Sequence, residues 1–349
     1  MKKKNSTAQR KKVKFDCKYL KDPKINKIYL TFKKQLYSQI KNEKFCIGVS
    51  GGPDSLALAF LAKVFSIEFN SKFIALIVNH NLRKQSGFEA QKVKKILTKH
   101  KIRAKILTWK GKIPKSNIQF NARNIRYFLL NKKCNKLNIK NLVLAHHEGD
   151  LIENFFIRLF RGSGLKGLSS LNIKRHSEGN ILNLIRPLIN TKKNELIYIS
   201  KKVFKFYLID PSNFKEKFLR TRIRNYLDKF KLDGLDINKV KLTLSNLQTA
   251  NECINFYKEK SINNYVRYLQ CNSCFVSYGL FHYESYEVIF RTISDIISKI
   301  SGSYYPPRGK DVKNLITRMQ SKEFKKSTLG GCIIEKTNNI LIFKKEFGA

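Results

Sequence analysis

Acidic residues are scarce in this chain of 349 residues. Asp and Glu together number 25 against 70 Lys and Arg, which gives a formal net charge of +45 at pH 7. Such an excess is extreme for an enzyme and indicates a polyanionic partner, which we interpret as nucleic acid. Lys, Ile and Asn are abundant together, as low-GC coding would give, so mutational drift is the alternative source of part of the charge.

The chain also lacks the features of membrane, exported and disulfide-rich proteins. It has no run of about 18 apolar residues that would span a bilayer. Residues 1–14 are basic but contain no apolar core, so they do not predict a signal peptide. The cysteines are scattered and odd in number: Cys17, Cys46, Cys134, Cys253, Cys271, Cys274 and Cys332. This fits a reducing compartment better than a disulfide framework, and we expect a cytoplasmic protein.

Predicted strands and helices alternate over the first two thirds of the chain. Strands are predicted at Phe45–Val49, Phe73–Val78, Ala104–Trp109 and Asn141–Ala145, and helices at Ile25–Lys41, Glu89–Lys99, Asn117–Lys133 and Asp150–Phe160. This alternation predicts the α/β class, with a doubly wound parallel sheet and helices on both faces. Ligands of such sheets bind beyond the carboxyl ends of the strands.

The length suggests two domains. We predict a basic N-terminal tail (1–24), a catalytic α/β domain (25–234) and a smaller α+β C-terminal region (235–349). The first domain is predicted to finish with a helix from Lys192, a short strand Tyr207–Ile209 and a helix Lys217–Phe230. The C-terminal region is predicted to hold a linking helix Asn238–Lys260, aromatic-rich strands from Tyr265, a helix Asp311–Met319, and a hairpin of Gly331–Glu335 with Ile340–Lys344.

The main candidate site is the loop Ser50-Gly51-Gly52-Pro53-Asp54-Ser55, between a buried strand and an apolar helix. The first amides of such a helix have no partners within it, and its positive dipole end suits a phosphate group. The two glycines let a ligand approach the backbone. Ser50 and Ser55 add hydroxyl donors, and Asp54 is a candidate helix cap or Mg²⁺ ligand. The alternative is a Gly-rich turn that binds nothing; the loop is not a Walker A sequence.

A second candidate site is the helix predicted from Asp150. At 100° per residue, one side carries Asp150, Asn154, Ile157 and Arg161, with Glu153 adjacent, and the opposite side carries Leu151, Ile152, Phe155, Phe156 and Leu159. The polar side is expected to face the strand ends, just after His146 and His147. The alternatives are satisfied histidines and acids that complement the helix dipole.

These blocks together resemble the tRNA(Ile)-lysidine synthetases, which belong to the PP-loop N-type ATP pyrophosphatases. The resemblance runs from Phe45 to Arg224 and rests on the loop 50–55, Asn79–Arg83 with Ser86 and Glu89-Ala90, Ala122–Tyr127, Ala145–Asn154, Arg161–Leu168, Arg186–Leu188, Asp210–Asn213 and Arg220–Arg224. Three positions depart from the family pattern: Gly149 replaces a second acid, Asn154 a common Thr, and Thr221 a common Asn.

The resemblance implies a two-step ligation with ATP and Mg²⁺. ATP adenylates the C2 oxygen of the wobble cytidine of a CAU-anticodon tRNA(Ile); free lysine then displaces AMP to form lysidine. Nucleotide binding is implied for Ser50, Gly51, Gly52, Pro53, Asp54 and Ser55, catalysis for Asp54, Arg123, His147, Asp150 and Glu153, and Mg²⁺ binding for Asp54 and Asp150. Contacts with tRNA are implied for Arg83, Arg126, Arg161, Arg220, Arg222 and Arg224. The oligomeric state is left open, with a homodimer as one alternative.

Two other functions remain as alternatives. One is a tRNA thiolase of the same superfamily, which adenylates and then adds sulfur. The pair Cys271 and Cys274 is a CxxC that a redox or cluster site would need, and a zinc site would further need Cys253 and His282. The other alternative is a non-catalytic basic RNA-binding protein with a decayed ATP loop.

Overall fold

The computed structural model describes residues 17–82, 85–112, 118–171, 174–176, 182–209, 219–269, 272–302 and 307–346. Contacts divide the chain into two compact units: Met1–Leu151 with Leu184–Phe214, and Ile152–Asn183 with Lys215–Ala349. This division follows a different line from the predicted boundary after Gly234, which stays a prediction.

Twelve α-helices and eleven strands lie in the part of the chain that the structure describes. The helices are α1 (Pro23–Ile40), α2 (Pro53–Glu68), α3 (Ser86–Lys99), α4 (Ile118–Lys136), α5 (Glu148–Leu159), α6 (Leu165–Leu168), α7 (Lys193–Phe204), α8 (Leu219–Leu232), α9 (Ile237–Tyr265), α10 (Leu280–Tyr283), α11 (Tyr286–Ser301) and α12 (Gly309–Gln320). The strands are β1 (Phe45–Val49), β2 (Phe73–Asn79), β3 (Ala104–Thr108), β4 (Asn141–Val143), β5 (Lys174–His176), β6 (Asn183–Ile185), β7 (Val266–Leu269), β8 (Ser273–Ser277), β9 (Lys326–Leu329), β10 (Cys332–Thr337) and β11 (Ile340–Lys345).

The first unit is built on a parallel sheet. Its strands follow the order β3-β2-β1-β4-β6, and the β2–β3, β1–β2 and β1–β4 pairs are parallel. The helix α2 packs on β1 and β2 and against α1 and α7. Residues 55–62 of α2 are all buried, as expected for a helix that is apolar on every side. The predicted α/β class with a parallel sheet is confirmed.

The second unit contains an antiparallel sheet of five strands in the order β7-β8-β11-β10-β9. The predicted hairpin is present as β10 and β11, which pair from Cys332↔Lys345 to Thr337↔Ile340. The apolar core joins this sheet to α11 and α12. Among the described residues, no helix is long and apolar enough to cross a membrane.

One prediction of local structure was wrong, and one long helix was not predicted. Tyr207–Ile209 is not a strand; instead, the Leu208 N–H donates to the Gly51 carbonyl at 2.9 Å. After Tyr265 a mixed pattern of strands and one helix was predicted, but this prediction did not include α11, a helix of sixteen residues. Its isoleucines favour strands by propensity, but their burial follows a helical period.

Candidate active site

A single buried hydroxyl group holds the loop between β1 and α2. The Oγ atom of Ser55 accepts hydrogen bonds from the N–H groups of Ser50 (3.2 Å) and Gly51 (3.1 Å). It donates to the Gly52 carbonyl at 2.9 Å. This hydrogen and both lone pairs are then in use, so the hydroxyl shapes the turn. The prediction that the Ser55 hydroxyl donates to a ligand was wrong, because its hydrogen is donated to the Gly52 carbonyl within the loop. Contact between a nucleotide and the backbone N–H of Ser55 stays a prediction.

Glycine occurs at positions 51 and 52 of the loop for different structural reasons. Gly51 has φ +88°, and a Cβ there would lie 2.4 Å from Val93 Cγ2 and 2.9 Å from Leu208 Cδ1. The fold itself therefore requires glycine at 51. At Gly52 the nearest atom to an added Cβ would be Ser50 Oγ at 3.7 Å. The backbone at Gly52 thus leaves room for a ligand to approach.

Gly52 is also the N-cap of α2, and Pro53 is the first residue of the helix. Proline suits this position because its fixed φ is helical and its missing N–H would have no partner in the helix. The helix runs for sixteen residues, so its positive dipole end is developed. This end lies at the carboxyl end of β1, as predicted for a phosphate site.

Three of the predicted catalytic residues lie together beside this helix end. His147 Nδ1 accepts a hydrogen bond from the Gly149 N–H at 3.0 Å, which places the proton of the neutral ring on Nε2. That Nε2 lies 3.8 Å from Asp54 Oδ2 and 3.7 Å from Asp150 Oδ2. Asp150 Oδ2 also accepts from the His147 N–H at 3.1 Å. One buried imidazole therefore lies between two carboxylates, from α2 and α5, at distances longer than a hydrogen bond.

The departure at Gly149 has a geometric explanation. A Cβ at this position would lie 2.9 Å from Cε1 and 3.2 Å from Nδ1 of His147. A side chain at 149 would therefore displace the imidazole ring or the loop. The glycine keeps the amide close enough to donate to Nδ1 and so to fix the tautomer of His147.

Sequence reasoning missed a role for Arg186, although it follows β6 directly. The Arg186 side chain is buried, and its Nε donates to His146 Nδ1 at 3.2 Å. This bond ties the loop before α5 to the end of β6. The signal that would have found it is an arginine placed at a strand end, one residue before a proline.

His80 follows the end of β2. Burial, and next the positive charge of Arg126, lowers the pKa of His80 to about 4. Within the described residues, its Nδ1 is buried without a hydrogen-bond partner. Arg126, a predicted tRNA contact on α4, is exposed and lies close enough to act on this ring. His80 is therefore a neutral imidazole at neutral pH.

Known proteins are similar in sequence to this chain over most of its length. Residues 25–230 match the PP-loop domain family. A tRNA(Ile)-lysidine synthase from Orientia tsutsugamushi is 33% identical over 318 residues, which cover 88% of this chain and 71% of that protein. One from Rickettsia bellii is 35% identical over 314 residues, covering 87% and 70%. The chain belongs to the tRNA(Ile)-lysidine synthase family. The predicted family and its enzyme class, a ligase, are confirmed.

Among solved structures, the U34-tRNA thiolase NcsA from Methanococcus maripaludis, with its [4Fe-4S] cluster, has a similar fold. The TM-score is 0.56 at 19% identity, and the match covers 66% of this chain and 79% of that one. At this identity the likeness supports the PP-loop fold of this tRNA(Ile)-lysidine synthase family member and carries nothing about its reaction.

The other predicted arginines of this family member are spread over several elements. Arg123 lies on α4, where its guanidinium stacks on Tyr127 at 5.0 Å from the ring centroid. Arg222 is exposed on α8. Arg161 is exposed and lies beyond the end of α5, so its predicted place on the polar face of that helix was wrong. Arg83 and the Asp210–Asn213 block lie outside the described residues.

Glu153 is paired with two of the predicted tRNA contacts. Its Oε2 accepts from Arg220 Nε at 2.6 Å and from Arg224 Nη2 at 3.2 Å, and Oε1 accepts from Arg224 Nε. The carboxylate is buried, whereas the arginine side chains are 44% and 29% exposed. This carboxylate is thus already neutralised by the protein. A lysine ammonium would have to compete with two guanidinium groups for it.

The donors present fit a hard cation better than a soft one. Asp54 and Asp150 each offer a carboxylate oxygen within 3.8 Å of His147 Nε2. Mg²⁺ would take its remaining ligands from water and phosphate. Among the described residues, no three His, Cys, Asp or Glu side chains converge as a protein-only metal site.

The position of the Cys274 thiol argues against a role in metal binding or redox chemistry. It is buried in the core of the second unit, and burial, with the neighbouring Cys332, raises its pKa to about 12. A thiol of this pKa is a poor ligand and a poor nucleophile at neutral pH. Cys253 and His282 are exposed, and Cys271 lies outside the described residues.

Proposed function

We propose that this protein ligates free L-lysine to C2 of the wobble cytidine of a tRNA(Ile) with a CAU anticodon, using ATP. One observation carries the chemistry: Asp54 and Asp150 converge on the Nε2–H of His147 beside the N-terminus of α2. Family membership supports the choice of substrate, because its relatives are named for lysidine synthesis on tRNA(Ile).

The first step forms a bond between the cytidine C2 oxygen and the α-phosphorus of ATP, and pyrophosphate leaves. The N-terminal amides of α2 stabilise the negative charge of the leaving phosphates. Mg²⁺, when held by Asp54 and Asp150, supplies further positive charge at these phosphates. The backbone of Gly52 leaves the room that this contact needs.

In the second step the lysine side-chain amine attacks C2, and AMP leaves with its electron pair. The attacking ammonium must first lose a proton. Asp150 is the acceptor that we propose, and His147 holds it through the backbone N–H and the nearby Nε2–H. Glu153, also predicted to be catalytic, is proposed to act as a positioning residue for Arg220 and Arg224.

Substrate contacts on the RNA side are proposed for the exposed guanidinium groups of Arg126, Arg161 and Arg222, with Arg83, Arg220 and Arg224, because Arg binds phosphates through a planar fork. Arg123 is proposed to meet a phosphate of ATP or tRNA. The cytoplasmic location and the homodimer stay predictions.

The experiment is a mass analysis of tRNA nucleosides after incubation with ATP and lysine. Lysine-dependent conversion of the wobble cytidine supports the ligase, and conversion that needs a sulfur donor supports a thiolase. If no pyrophosphate is released, the result supports the non-catalytic RNA-binding protein. Asp54→Ala is expected to abolish AMP formation while tRNA affinity changes less than twofold. Equal loss of both would make Asp54 a structural residue.

A further inference from the structure

One long segment of the chain contains no acidic residue. Residues 90–147, between Glu89 and Glu148, hold sixteen Lys or Arg and no Asp or Glu. A solvated surface of ordinary composition carries both signs of charge, so this segment offers a polyanion nothing that repels it.

Part of this segment lies at an edge of the sheet of the first unit. It includes most of α3, all of β3 and all of α4, and β3 is the outermost strand of its sheet on that side. Burial, and next the ammonium groups of Lys105 and Lys136, lowers the pKa of Lys133. The positive charges are thus close enough in space to act on one another.

Aromatic side chains are exposed among these charges. Phe120 is 56% exposed and Phe128 is 55% exposed, both on α4. Trp109 contacts Phe128 edge to face, with ring centroids 6.2 Å apart, and Lys132 Nζ lies 5.9 Å from the Phe128 centroid. Exposed aromatic rings that touch one another and are bordered by charged side chains are typical of an interaction site. We call the set Lys105, Trp109, Phe128 and Lys132 the β3-edge surface.

We propose that the β3-edge surface binds unpaired nucleotides of an RNA loop, with a base stacked on Phe128 and phosphates near Lys105 and Lys132. The proposal rests on the proposed function, in that the RNA is the tRNA substrate. Aromatic faces interleaved with cations are how proteins hold single-stranded nucleic acid. Paired bases present no free face, so a duplex gains only the charge contacts.

The chain supplies its own probe for this surface, since Trp109 is its one tryptophan. We expect the isolated anticodon stem-loop to quench Trp109 fluorescence to saturation, and a duplex of equal length and charge to quench it far less. Phe128→Ala should weaken stem-loop binding about tenfold, the loss of one stacked base. Because this substitution changes the surroundings of Trp109, affinity is also measured by anisotropy of labelled RNA.

Matched controls lie on α1 of the same unit. Tyr37 is 42% exposed and packs on Phe69 at 4.8 Å, so Tyr37→Ala removes an exposed aromatic ring elsewhere. Lys34→Glu changes the net charge as Lys132→Glu does. Both α1 variants are expected to bind the stem-loop nearly as the wild type does, and all variants should keep their melting temperature within about 2 °C.

The outcomes separate this proposal from the proposed function. If lysidine forms and Phe128→Ala raises KM for tRNA without lowering kcat, the surface is supported. If lysidine forms and Phe128→Ala and Tyr37→Ala behave alike, the surface proposal fails and the ligase stands. If no lysidine forms but Phe128→Ala still weakens stem-loop binding, the surface stands alone. Equal binding of duplex, or competition by anionic lipid vesicles but not by RNA, would overturn it.

Discussion

Among single residues, Ser55 shows how a phosphate-binding turn is organised from within. Its hydroxyl accepts from two successive loop amides and donates to the carbonyl of the N-cap residue. Those amides belong to Ser50 and Gly51, so they are satisfied before any ligand arrives. The remaining donors for a phosphate are the backbone N–H groups at the start of α2. The serine therefore sets the direction in which the helix end points.

We predict that Ser55→Ala lowers the free energy of unfolding by about 1–3 kcal/mol, because buried amides lose their acceptor. The KM for ATP should rise as the loop loosens. Denaturant unfolding and pyrophosphate release measure the two effects. Ser38→Ala, which removes an exposed α1 hydroxyl bonded to the Gln35 carbonyl, is the control and should change neither. A Ser55→Ala protein with wild-type stability would contradict the role assigned to this hydroxyl.

Residue spacing anticipated part of this site and missed part. The sequence placed Asp54 and His147 at the ends of neighbouring parallel strands, and topology then brings them together. The tautomer of His147 was not predictable from sequence. It depends on the hydrogen bond from the Gly149 N–H to His147 Nδ1, which is visible only in the three-dimensional structure. Arg186 was missed for the same reason: its partner, His146, lies forty residues away in the chain.

At the scale of elements, α5 and α8 meet through Glu153. One buried carboxylate accepts from two arginines of α8, one helical turn apart. Neither partner was predicted from sequence, because a helical wheel gives only which residues share a face and says nothing about what packs there. The pairing aligns two predicted RNA contacts on the same helix.

We predict that Glu153→Gln lowers the free energy of unfolding by about 1–2 kcal/mol. Removing one member of a buried ion pair costs more than this, but both arginines are partly exposed and can turn to water. Thermal and denaturant unfolding measure the change. tRNA affinity should fall as Arg220 and Arg224 lose their fixed positions.

The control for this prediction is Glu335→Gln in the second unit. Glu335 also bridges two cations, Lys326 at 2.9 Å and Lys344 at 3.3 Å, but on the open face of the antiparallel sheet. Its loss should be scarcely measurable, as for most surface ion pairs. If Glu153→Gln kept full stability and yet stopped the lysine-dependent step, the carboxylate would belong to the reaction and not to positioning.

The elements were predictable to different degrees. Short apolar runs located β1 to β4, and helical patterns located α1 to α4, within a few residues. The helix α11 was not predicted, because Ile289, Ile293, Ile296 and Ile297 favour strands by propensity, while their packing against the second sheet favours a helix. The triplet Tyr207–Ile209 was misread because apolar residues next to the Gly51 loop fill space without strand pairing.

At the scale of the whole molecule, the net charge of +45 has to be explained by function or by drift. Low-GC coding would raise the Lys content along the whole chain, but it gives no reason for residues 90–147 to contain no acidic residue at all. The acids that remain in the first unit's site, Asp54 and Asp150, are those the proposed reaction uses. If selection has kept acids in the site and excluded them from residues 90–147, the positive charge should contribute directly to RNA affinity.

We therefore predict that tRNA affinity falls about 10³-fold or more between 50 and 200 mM salt, as counterions are released from six or more phosphates. Filter binding over a salt series gives the slope of log Kd against log salt concentration. Lys132→Glu should reduce that slope by about one or more, because it removes a phosphate contact. Lys34→Glu, with the same change in net charge, should leave the slope nearly unchanged. If tRNA affinity did not change with salt concentration, coding bias would explain the positive charge better than RNA binding does. If Lys132→Glu and Lys34→Glu gave equal slopes, affinity would depend only on net charge and not on the position of the lysine.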